Sequence, residues 1–322
     1  MHIPDGFLDA KTAVVASSLA VAGLGVALRQ ARVHLPPRRV PLLGLAAAFV
    51  FAAQMLNFPV VGGTSGHLVG AVLVAALLGP SVAVVVMSAV LIVQCLMFAD
   101  GGISALGANI LNMGILGGAG GWVIYHVVSR AIKGLRGRLL AAGFAAWCTT
   151  VLAAVACAGE LAVSRTVAFS VALPAMAGIH MLIGLGEALI TALVLGAIAR
   201  ARPDLLEPEI DLKPARSYRA LAAYGVLIVL GLALFVSPLA SKWPDGLDRT
   251  AEVLGFKEKA AASAVRAPIP EYEMPGIGSS VVATSVAGAL GTLVALALAW
   301  GLARVLVPKA RGSAPAEPDE GS

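Results

Sequence analysis

Long apolar runs dominate the chain, and short polar segments separate them. Most of the runs are about 20 residues long, the length that an α-helix needs to cross the hydrocarbon core of a bilayer. Apolar residues follow one another without the alternation of a transmembrane strand, so the pattern excludes a membrane β-barrel. It predicts an all-α, polytopic membrane protein with about seven transmembrane helices, plus a two-helix C-terminal module that carries an external loop.

The predicted spans can be placed from the ends of the apolar runs. They cover approximately residues 12–28, 41–56, 67–78, 82–98, 103–128, 139–163, 173–199, 220–239 and 279–302. Pro80 disfavours a straight helix, because proline removes a backbone hydrogen bond and clashes with the preceding turn. The third and fourth runs therefore form either two spans or one hairpin-like segment.

Composition divides the chain into four parts. Residues 1–200 form the first membrane module, and residues 201–218, which contain prolines and mixed charges, form a cytoplasmic linker. Residues 219–304 form the two-helix module, with a polar segment between its helices in which residues 251–264 are predicted to be a surface helix. Residues 305–322 are rich in Pro, Ala, Gly and acidic residues, a composition typical of a disordered tail.

Basic residues are distributed unevenly between the loops. They follow the first, fifth and seventh spans, in segments that include Arg29, Arg32, Arg130 and Lys133. Cytoplasmic loops collect Lys and Arg, so the pattern predicts a plasma (inner) membrane protein with an external N-terminus and a cytoplasmic C-terminus. This topology puts the first nine residues and the loop 57–66 on the same external side. His2 and His67 are therefore able to meet.

The overall composition agrees with this class. Of the 322 residues, 59% are hydrophobic and 13% are charged, whereas soluble domains contain about 25% charged residues. A net charge of +5 would suggest an acidic partner in a soluble protein, but here the distribution of charge matters more, and no nucleic-acid partner is expected. Cys95, Cys148 and Cys157 all lie inside apolar runs and read as small core residues.

The first nine residues, Met1 to Asp9, are a polar turn before the first apolar run. They lack the basic head of a targeting signal, so we expect the free amine of Met1 to stay beside the His2 imidazole. That amine, the backbone nitrogen of His2 and Nδ1 of His2 can close two chelate rings, and another imidazole would complete a square. Square-planar nitrogen coordination suits Ni²⁺ or Cu²⁺. Alternatively, His2 is a polar residue at a frayed terminus.

The other ionisable residues each have a structural alternative. His67 follows a Gly-rich loop, where it could simply bond a loop carbonyl. Within the predicted spans, His180 and Glu187 share one helix face and either serve a function or join helices. With Glu160 they could alternatively form an intramembrane enzyme site. The residues to which we assign no chemistry are His34, His126 and Asp100, with solvation the expected role of Asp100.

Motifs of energy conversion and hydrolysis are missing from the sequence. It contains no GxxxxGK[ST] segment, so another chain would have to supply the nucleotide site of an ATP-driven process. It also contains no GxSxG or HExxH element. We therefore expect no catalysis by this chain itself.

Two parts of the sequence carry a family likeness. Met-His-Ile-Pro-Asp-Gly at residues 1–6, His67 after a Gly-rich loop, and seven spans resemble the metal-binding membrane subunit of nickel/cobalt energy-coupling factor (ECF) ABC transporters, the CbiM/NikM family. The two C-terminal spans enclose Trp243-Pro244-Asp245-Gly246-Leu247-Asp248 and resemble the accessory subunit CbiN/NikN, which has a Pro-Asp-Gly-Leu-acidic signature. Asp248 stands where that signature often has Glu.

The resemblance implies a function and a ligand set. Met1, His2 and His67 would hold a transported Ni²⁺ or Co²⁺, with no prosthetic group. The partners would be a transmembrane coupling subunit and ATP-binding-cassette ATPase subunits, and the accessory module would support loading. Ile-Pro-Asp-Gly after His2 looks more like the nickel members, whereas cobalt import would connect the chain to cobalamin biosynthesis. The alternative is a stand-alone secondary transporter or channel for a divalent transition metal.

Overall fold

The computed structural model describes residues 2–206, 218–263 and 265–307, and these form a helical bundle. The helices are, in chain order, α1 (Ala10–His34), α2 (Val40–Gln54), α3 (Ala71–Leu78), α4 (Pro80–Phe98), α5 (Leu106–Ala131), α6 (Gly134–Val163), α7 (Phe169–Ala201), α8 (Tyr218–Gly231), α9 (Gly246–Leu254) and α10 (Ser280–Leu306). Between α2 and α3, strands β1 (Phe58–Val60) and β2 (Thr64–Gly66) form an antiparallel hairpin. Met1 lies outside the described residues.

Seven helices of the described chain are long and apolar enough to cross a membrane. They are α1, α4, α5, α6, α7, α10 and the segment Ala220–Leu239, in which α8 continues through a π-helical and a 3₁₀ turn. The all-α, polytopic membrane class is confirmed. Two predicted spans are shorter helices, since α2 has 15 residues and α3 has 8.

The third and fourth runs are two separate helices that pack against each other. α3 ends at Leu78, and Gly79 follows with a φ of +89°. Pro80 then occupies the first turn of α4, where its missing N–H leaves no hydrogen bond unmade. The Gly-Pro pair therefore turns the chain back at this point.

The predicted surface helix at residues 251–264 is wrong, because the helix here is α9, which runs from Gly246 to Leu254. The Asp245 side chain accepts hydrogen bonds from the backbone of Leu247 and Asp248 and so starts the helix earlier. Such capping satisfies N–H groups that have no partner inside the helix. Gly255, with a φ of +74°, ends it.

The predicted linker and tail fall partly outside the described residues, which omit 207–217 and 308–322. α10 continues to Leu306 and so enters the range predicted as tail. α1 is also longer than its apolar run and includes Arg29 and Arg32 in its last turns.

The C-terminal module packs directly on the first module. Its helix α10 lies along α2 and α4 of the first module. Within the first module, α6 lies along α7. Small residues allow the close approach of α10 to α2, since a Cβ on Gly291 would lie 2.1 Å from the ring of Phe51. Phe51 belongs to the main apolar core, together with Leu43, Met87 and Phe98. The cysteines are free, and Cys95 and Cys157 are buried, as predicted for small core residues, while Cys148 is partly buried.

Candidate metal centre

The N-terminal segment is packed into the protein rather than frayed. His2 is 9% exposed and Ile3 is 1% exposed. The Asn109 side chain accepts a hydrogen bond from the Ile3 backbone N–H at 2.8 Å and donates one to the Ile3 carbonyl at 3.2 Å. Gly102 N–H donates to the same carbonyl at 2.9 Å. α5 and the turn before it therefore fix the backbone next to His2.

The turn Pro4-Asp5-Gly6 is held on two sides. The Asp5 carboxylate accepts hydrogen bonds from the backbone and hydroxyl of Ser104, at 2.8 and 2.5 Å, and from the backbone of Ile103 at 3.3 Å. On the other side, Ala261 of the C-terminal module donates its N–H to the Asp5 carbonyl at 2.8 Å. The segment is thus clamped between the two modules.

His2 and His67 face each other, with ring centroids 5.5 Å apart and planes tilted by 54°. The structure thus brings together the two imidazoles that the predicted topology allowed to meet. Nδ1 of His2 lies 2.5 Å from Oδ1 of Asp100. Nε2 of His2 is buried without a hydrogen-bond partner among the residues that the structure describes.

Asp100 joins His2 to the C-terminal module, a role that the sequence did not indicate. Its second carboxylate oxygen accepts a hydrogen bond from the Tyr272 hydroxyl at 2.5 Å. Burial by itself disfavours the charged carboxylate, but the His2 imidazole and the Tyr272 hydroxyl outweigh it and lower the pKa of Asp100 to about 2. Asp100 is therefore ionised at neutral pH and adds negative charge beside the two imidazoles.

The loop before His67 is also held by the C-terminal module. Ser65 in β2 donates its backbone N–H to the Pro244 carbonyl at 2.8 Å and its hydroxyl to the Trp243 carbonyl at 2.7 Å. Burial lowers the pKa of His67 to about 3, although its side chain retains some exposure. The imidazole is therefore neutral at pH 7, which is the form that binds a metal ion.

Glu187 positions the chain just after His67. Its carboxylate accepts hydrogen bonds from the backbone of Val69 at 2.6 Å and Gly70 at 3.0 Å, directly before α3. A carboxylate at a helix N-terminus satisfies free N–H groups and complements the helix dipole. Joining helices, one of the alternatives for this residue, is thus what the geometry shows.

An open cavity, here called the vestibule, adjoins the His67 imidazole on the side of the C-terminal module. It measures about 680 Å³ and includes His67 in its wall. Its other walls carry one lysine, Lys242, and a set of carboxylates: Asp100, Asp245, Asp248, Glu271 and Glu273. Clefts lined by one sign of charge concentrate counter-ions, so the vestibule favours the entry of cations.

The remaining candidates lie elsewhere. His34 is exposed and bonds the carbonyl of Gln30, and His126 stacks on Trp122. His180 and Glu187 line a small cavity inside the bundle, and Glu160 accepts a hydrogen bond from Asn112 in its wall. Among the described residues, no three His, Cys, Asp or Glu side chains are grouped as a metal site.

The sequence alone indicates no role for Asn109 or Tyr272, and only a solvation role for Asp100. Asn109 is a polar residue inside a predicted span, and that position could have marked it as a candidate. Tyr272 and Asp100 carried no comparable signal, because their significance arises from a contact across 172 residues.

The fold and this arrangement of imidazoles and carboxylates define a membrane protein suited to handling cations. Residues 2–205 match the family model CbiM, described as a cobalt uptake substrate-specific transmembrane region, and residues 219–308 match the PDGLE domain. The chain belongs to the CbiM family.

Three relatives align over most of this chain, and two of them are named as fused proteins. The putative fused nickel transport protein NikMN of Archaeoglobus fulgidus is 38% identical over 94% of this chain and 98% of its own length. The fused nickel transport protein NikMN of Rhodobacter capsulatus is 37% identical over 71% of each chain. The cobalt transport protein CbiM of Geobacter sulfurreducens is 31% identical over 83% of this chain and 80% of its own.

Solved structures show the same fold. A transition metal transporter aligns with a TM-score of 0.59 and 31% identity, and the match covers 66% of this chain and all of that chain (100%). A truncated transition metal transporter aligns with a TM-score of 0.57 and 32% identity over 62% of this chain and 99% of that one.

Proposed function

We propose that this chain is the substrate-binding membrane component of an ATP-driven importer for Ni²⁺ or Co²⁺. It captures the ion through the amine of Met1, the backbone and imidazole nitrogens of His2, and the imidazole of His67. It then delivers the ion inward together with a separate ECF coupling subunit and ATPase subunits. The chain has no catalytic activity of its own.

The observation that carries this proposal is the facing pair His2 and His67, at 5.5 Å between ring centroids, beside an acidic vestibule. Two imidazoles at this separation can share an ion after small rotations of their rings. The backbone of Ile3 is held by Asn109 and Gly102, so the main-chain nitrogen of His2 is also kept near the pair. Preorganised ligands lower the cost of binding.

Loading requires an exchange at His2. The chelate uses Nδ1, which in this structure is bonded to Asp100 at 2.5 Å. We propose that the arriving ion displaces the proton from Nδ1, that the ring stays a neutral imidazole with its proton on Nε2, and that the amide proton of the His2 backbone leaves to solvent as that nitrogen binds. Asp100 then remains as a neighbouring negative charge, still held by Tyr272. Since Tyr272 and Trp243–Asp245 belong to the C-terminal module, that module supports the loading step.

Membrane orientation and metal preference are part of the proposal. The distribution of basic residues supports an external N-terminus and a cytoplasmic C-terminus, which opens the vestibule to the outside. Nickel is favoured over cobalt because Ile-Pro-Asp-Gly follows His2 as in the nickel members, and because two relatives named as nickel proteins, at 38% and 37% identity, exceed those named as cobalt proteins, at 31–33%. Square-planar nitrogen ligation also suits Ni²⁺.

The test is to remove the amine as a ligand. Acetylating the amine of Met1 takes away one donor and opens one chelate ring, so Ni²⁺ retention by the purified chain should fall at least 100-fold. His67→Ala should also lower retention. The matched control is His126→Ala, which removes an imidazole that stacks on Trp122 away from the site and should leave retention unchanged. Full retention by the acetylated chain would overturn the N-terminal chelate.

Partner dependence separates the importer from a stand-alone transporter. We expect vesicles that contain this chain alone to take up no Ni²⁺, and uptake to appear when coupling and ATPase subunits and ATP are added. ATP-independent uptake by the chain alone would favour a secondary transporter or channel.

A further inference from the structure

A second, smaller cavity lies inside the helix bundle and has His67 in its wall. It measures about 30 Å³ and is bounded by residues of α5, α6 and α7 and by the turn that begins α9. A cavity needs about 10–15 Å³ to hold one water molecule, so this one has room for one or two small guests. His67 also lines the vestibule and therefore stands between the two spaces.

His180 presents a lone pair at this cavity. Its Nδ1 lies 2.7 Å from the Met176 carbonyl, an acceptor, so Nδ1 carries the proton. Nε2 therefore has the lone pair, and it is buried without a partner in the described part of the chain. The residue is 2% exposed. A histidine that donates one N–H to a carbonyl and keeps the other nitrogen unprotonated is in the form in which imidazoles bind metal ions.

Asn112 presents a second unpartnered acceptor. Its amide group donates to Glu160 at 2.8 Å, which fixes the side chain so that Oδ1 is the remaining polar atom. Oδ1 has no partner among the described residues, and the residue is 2% exposed. Buried acceptors are seldom left without a partner, because the desolvation costs about 1–3 kcal/mol.

The other polar side chains of the wall offer acceptors as well. The hydroxyls of Thr149 and Thr150 donate their protons to the carbonyls of Ala145 and Ala146, each at 2.9 Å, so lone pairs remain on both oxygens. Glu187 and Asp245 each add a carboxylate to the wall. The rest of the wall is mostly apolar, so these acceptors are the groups that a cation, or a water molecule that donates both its protons, would meet there.

We propose that this cavity is a second cation position, with Nε2 of His180 and Oδ1 of Asn112 as its protein ligands. This inference rests on the proposed function: the same divalent ion would occupy this second position after it leaves His67. Nitrogen and oxygen donors suit Ni²⁺ and Co²⁺. Both ligands are neutral, so the ion is held more weakly than at the N-terminal site, and a transit position has to release its ion.

The C-terminal module covers this position. A Cβ on Gly246 would lie 2.6 Å from Cε1 and 2.9 Å from Nε2 of His180. The turn Pro244-Asp245-Gly246 thus touches the loop before His67 with one residue and the His180 ring with another. An added methyl group at Gly246 would push the imidazole away from its present place.

The experiment counts ions on the full-length chain. The protein is purified with a tag that contains no histidine, placed in lipid nanodiscs and equilibrated with radioactive Ni²⁺ up to millimolar concentration. We expect two Ni²⁺ per chain, one tight and one weak. His180→Ala and Asn112→Leu should each weaken the second ion at least tenfold and leave the tight ion bound, and Gly246→Ala should also weaken the second. His126→Ala, the matched control, should keep both.

The outcomes separate this inference from the proposed function. Loss of the tight ion in His67→Ala with the weak ion retained supports both sites, whereas absence of any tight ion in the wild-type chain removes the proposed function. A wild-type chain that binds one ion, or a His180→Ala protein that binds two as tightly as wild type, overturns the second position and leaves water as its occupant. Retention of the tight ion reports that each variant is folded. If His180→Ala does not fold, the binding of the second ion by Asn112→Leu tests the proposal in its place.

Discussion

The tripeptide Pro-Asp-Gly occurs twice at the candidate metal centre, at residues 4–6 and 244–246, and its two copies have different structural roles. In the first turn, Asp5 accepts three hydrogen bonds from residues 103 and 104, and Gly6 adopts a φ of +89°. In the second turn, Asp245 caps α9 and Gly246 is its first residue. The first copy anchors a chain segment to a distant loop, whereas the second starts a helix.

The difference shows that Pro-Asp-Gly specifies a turn of the backbone, whereas the residues that contact the turn determine its structural role. Both turns pack against the other module, since Gly6 touches residues 259–261 and Gly246 touches His180. The neighbour of Gly6 is backbone, while the neighbour of Gly246 is a side chain. Backbone cannot rotate away from an added methyl group, so the two glycines should respond differently to the same substitution.

The largest effect should come from Gly6→Ala. The new Cβ would lie 2.4 Å from the Lys259 carbonyl oxygen and 2.7 Å from the Ala261 nitrogen, in a backbone conformation that disfavours side chains. We expect a loss of about 3 kcal/mol in the free energy of unfolding, measured in detergent. The control Gly62→Ala has a φ of +98° but no atom within 4 Å of the new Cβ, so it should lose about 1 kcal/mol. Equal losses would show that the contact with residues 259–261 is easily relieved.

Asp5→Ala should have the next largest effect. It removes the acceptor of three hydrogen bonds and leaves the Ser104 N–H without its partner. We expect about 2–3 kcal/mol of lost stability and at least tenfold weaker Ni²⁺ binding, because residues 2–4 lose one anchor. Asp5→Asn keeps one acceptor oxygen, so its stability and its Ni²⁺ affinity should lie between those of the wild-type chain and those of Asp5→Ala. Wild-type affinity in Asp5→Ala would show that Asn109 and Gly102 suffice to place His2.

Asp245→Ala should have the smallest effect on stability. Loss of the cap from Leu247 and Asp248 is expected to cost about 1 kcal/mol, measured by the same unfolding experiment. Asp245→Asn is the informative partner, because asparagine caps equally well but carries no charge. Ni²⁺ binding is measured on both variants. If Asp245→Asn has wild-type stability but binds Ni²⁺ as weakly as Asp245→Ala does, the charge of Asp245 acts on the ion. Restoration of both would limit Asp245 to capping.

Part of the candidate metal centre could be predicted from the sequence alone. The positive residues in alternate loops put His2 and His67 on the same side, and the structure places their rings at 5.5 Å. Asp100 could not be predicted, because an aspartate beside an apolar run usually faces solvent. It pairs instead with His2 across 98 residues and with Tyr272 across 172 residues. Periodicity and local motifs carry no information about contacts this far apart.

The sequence by itself determined the membrane class and most helices, and it predicted that the imidazoles of His2 and His67 lie on the same side of the membrane. The length of an apolar run and the position of basic residues are local properties of the sequence, and they determine which segments span a bilayer and in which direction. Only the tertiary structure decided which groups surround those imidazoles. The helix bundle brings Asn109, Asp100 and Tyr272 to one place, and it gives the two Pro-Asp-Gly turns different neighbours. Those neighbours, rather than the tripeptide itself, make one turn an anchor and the other a cap.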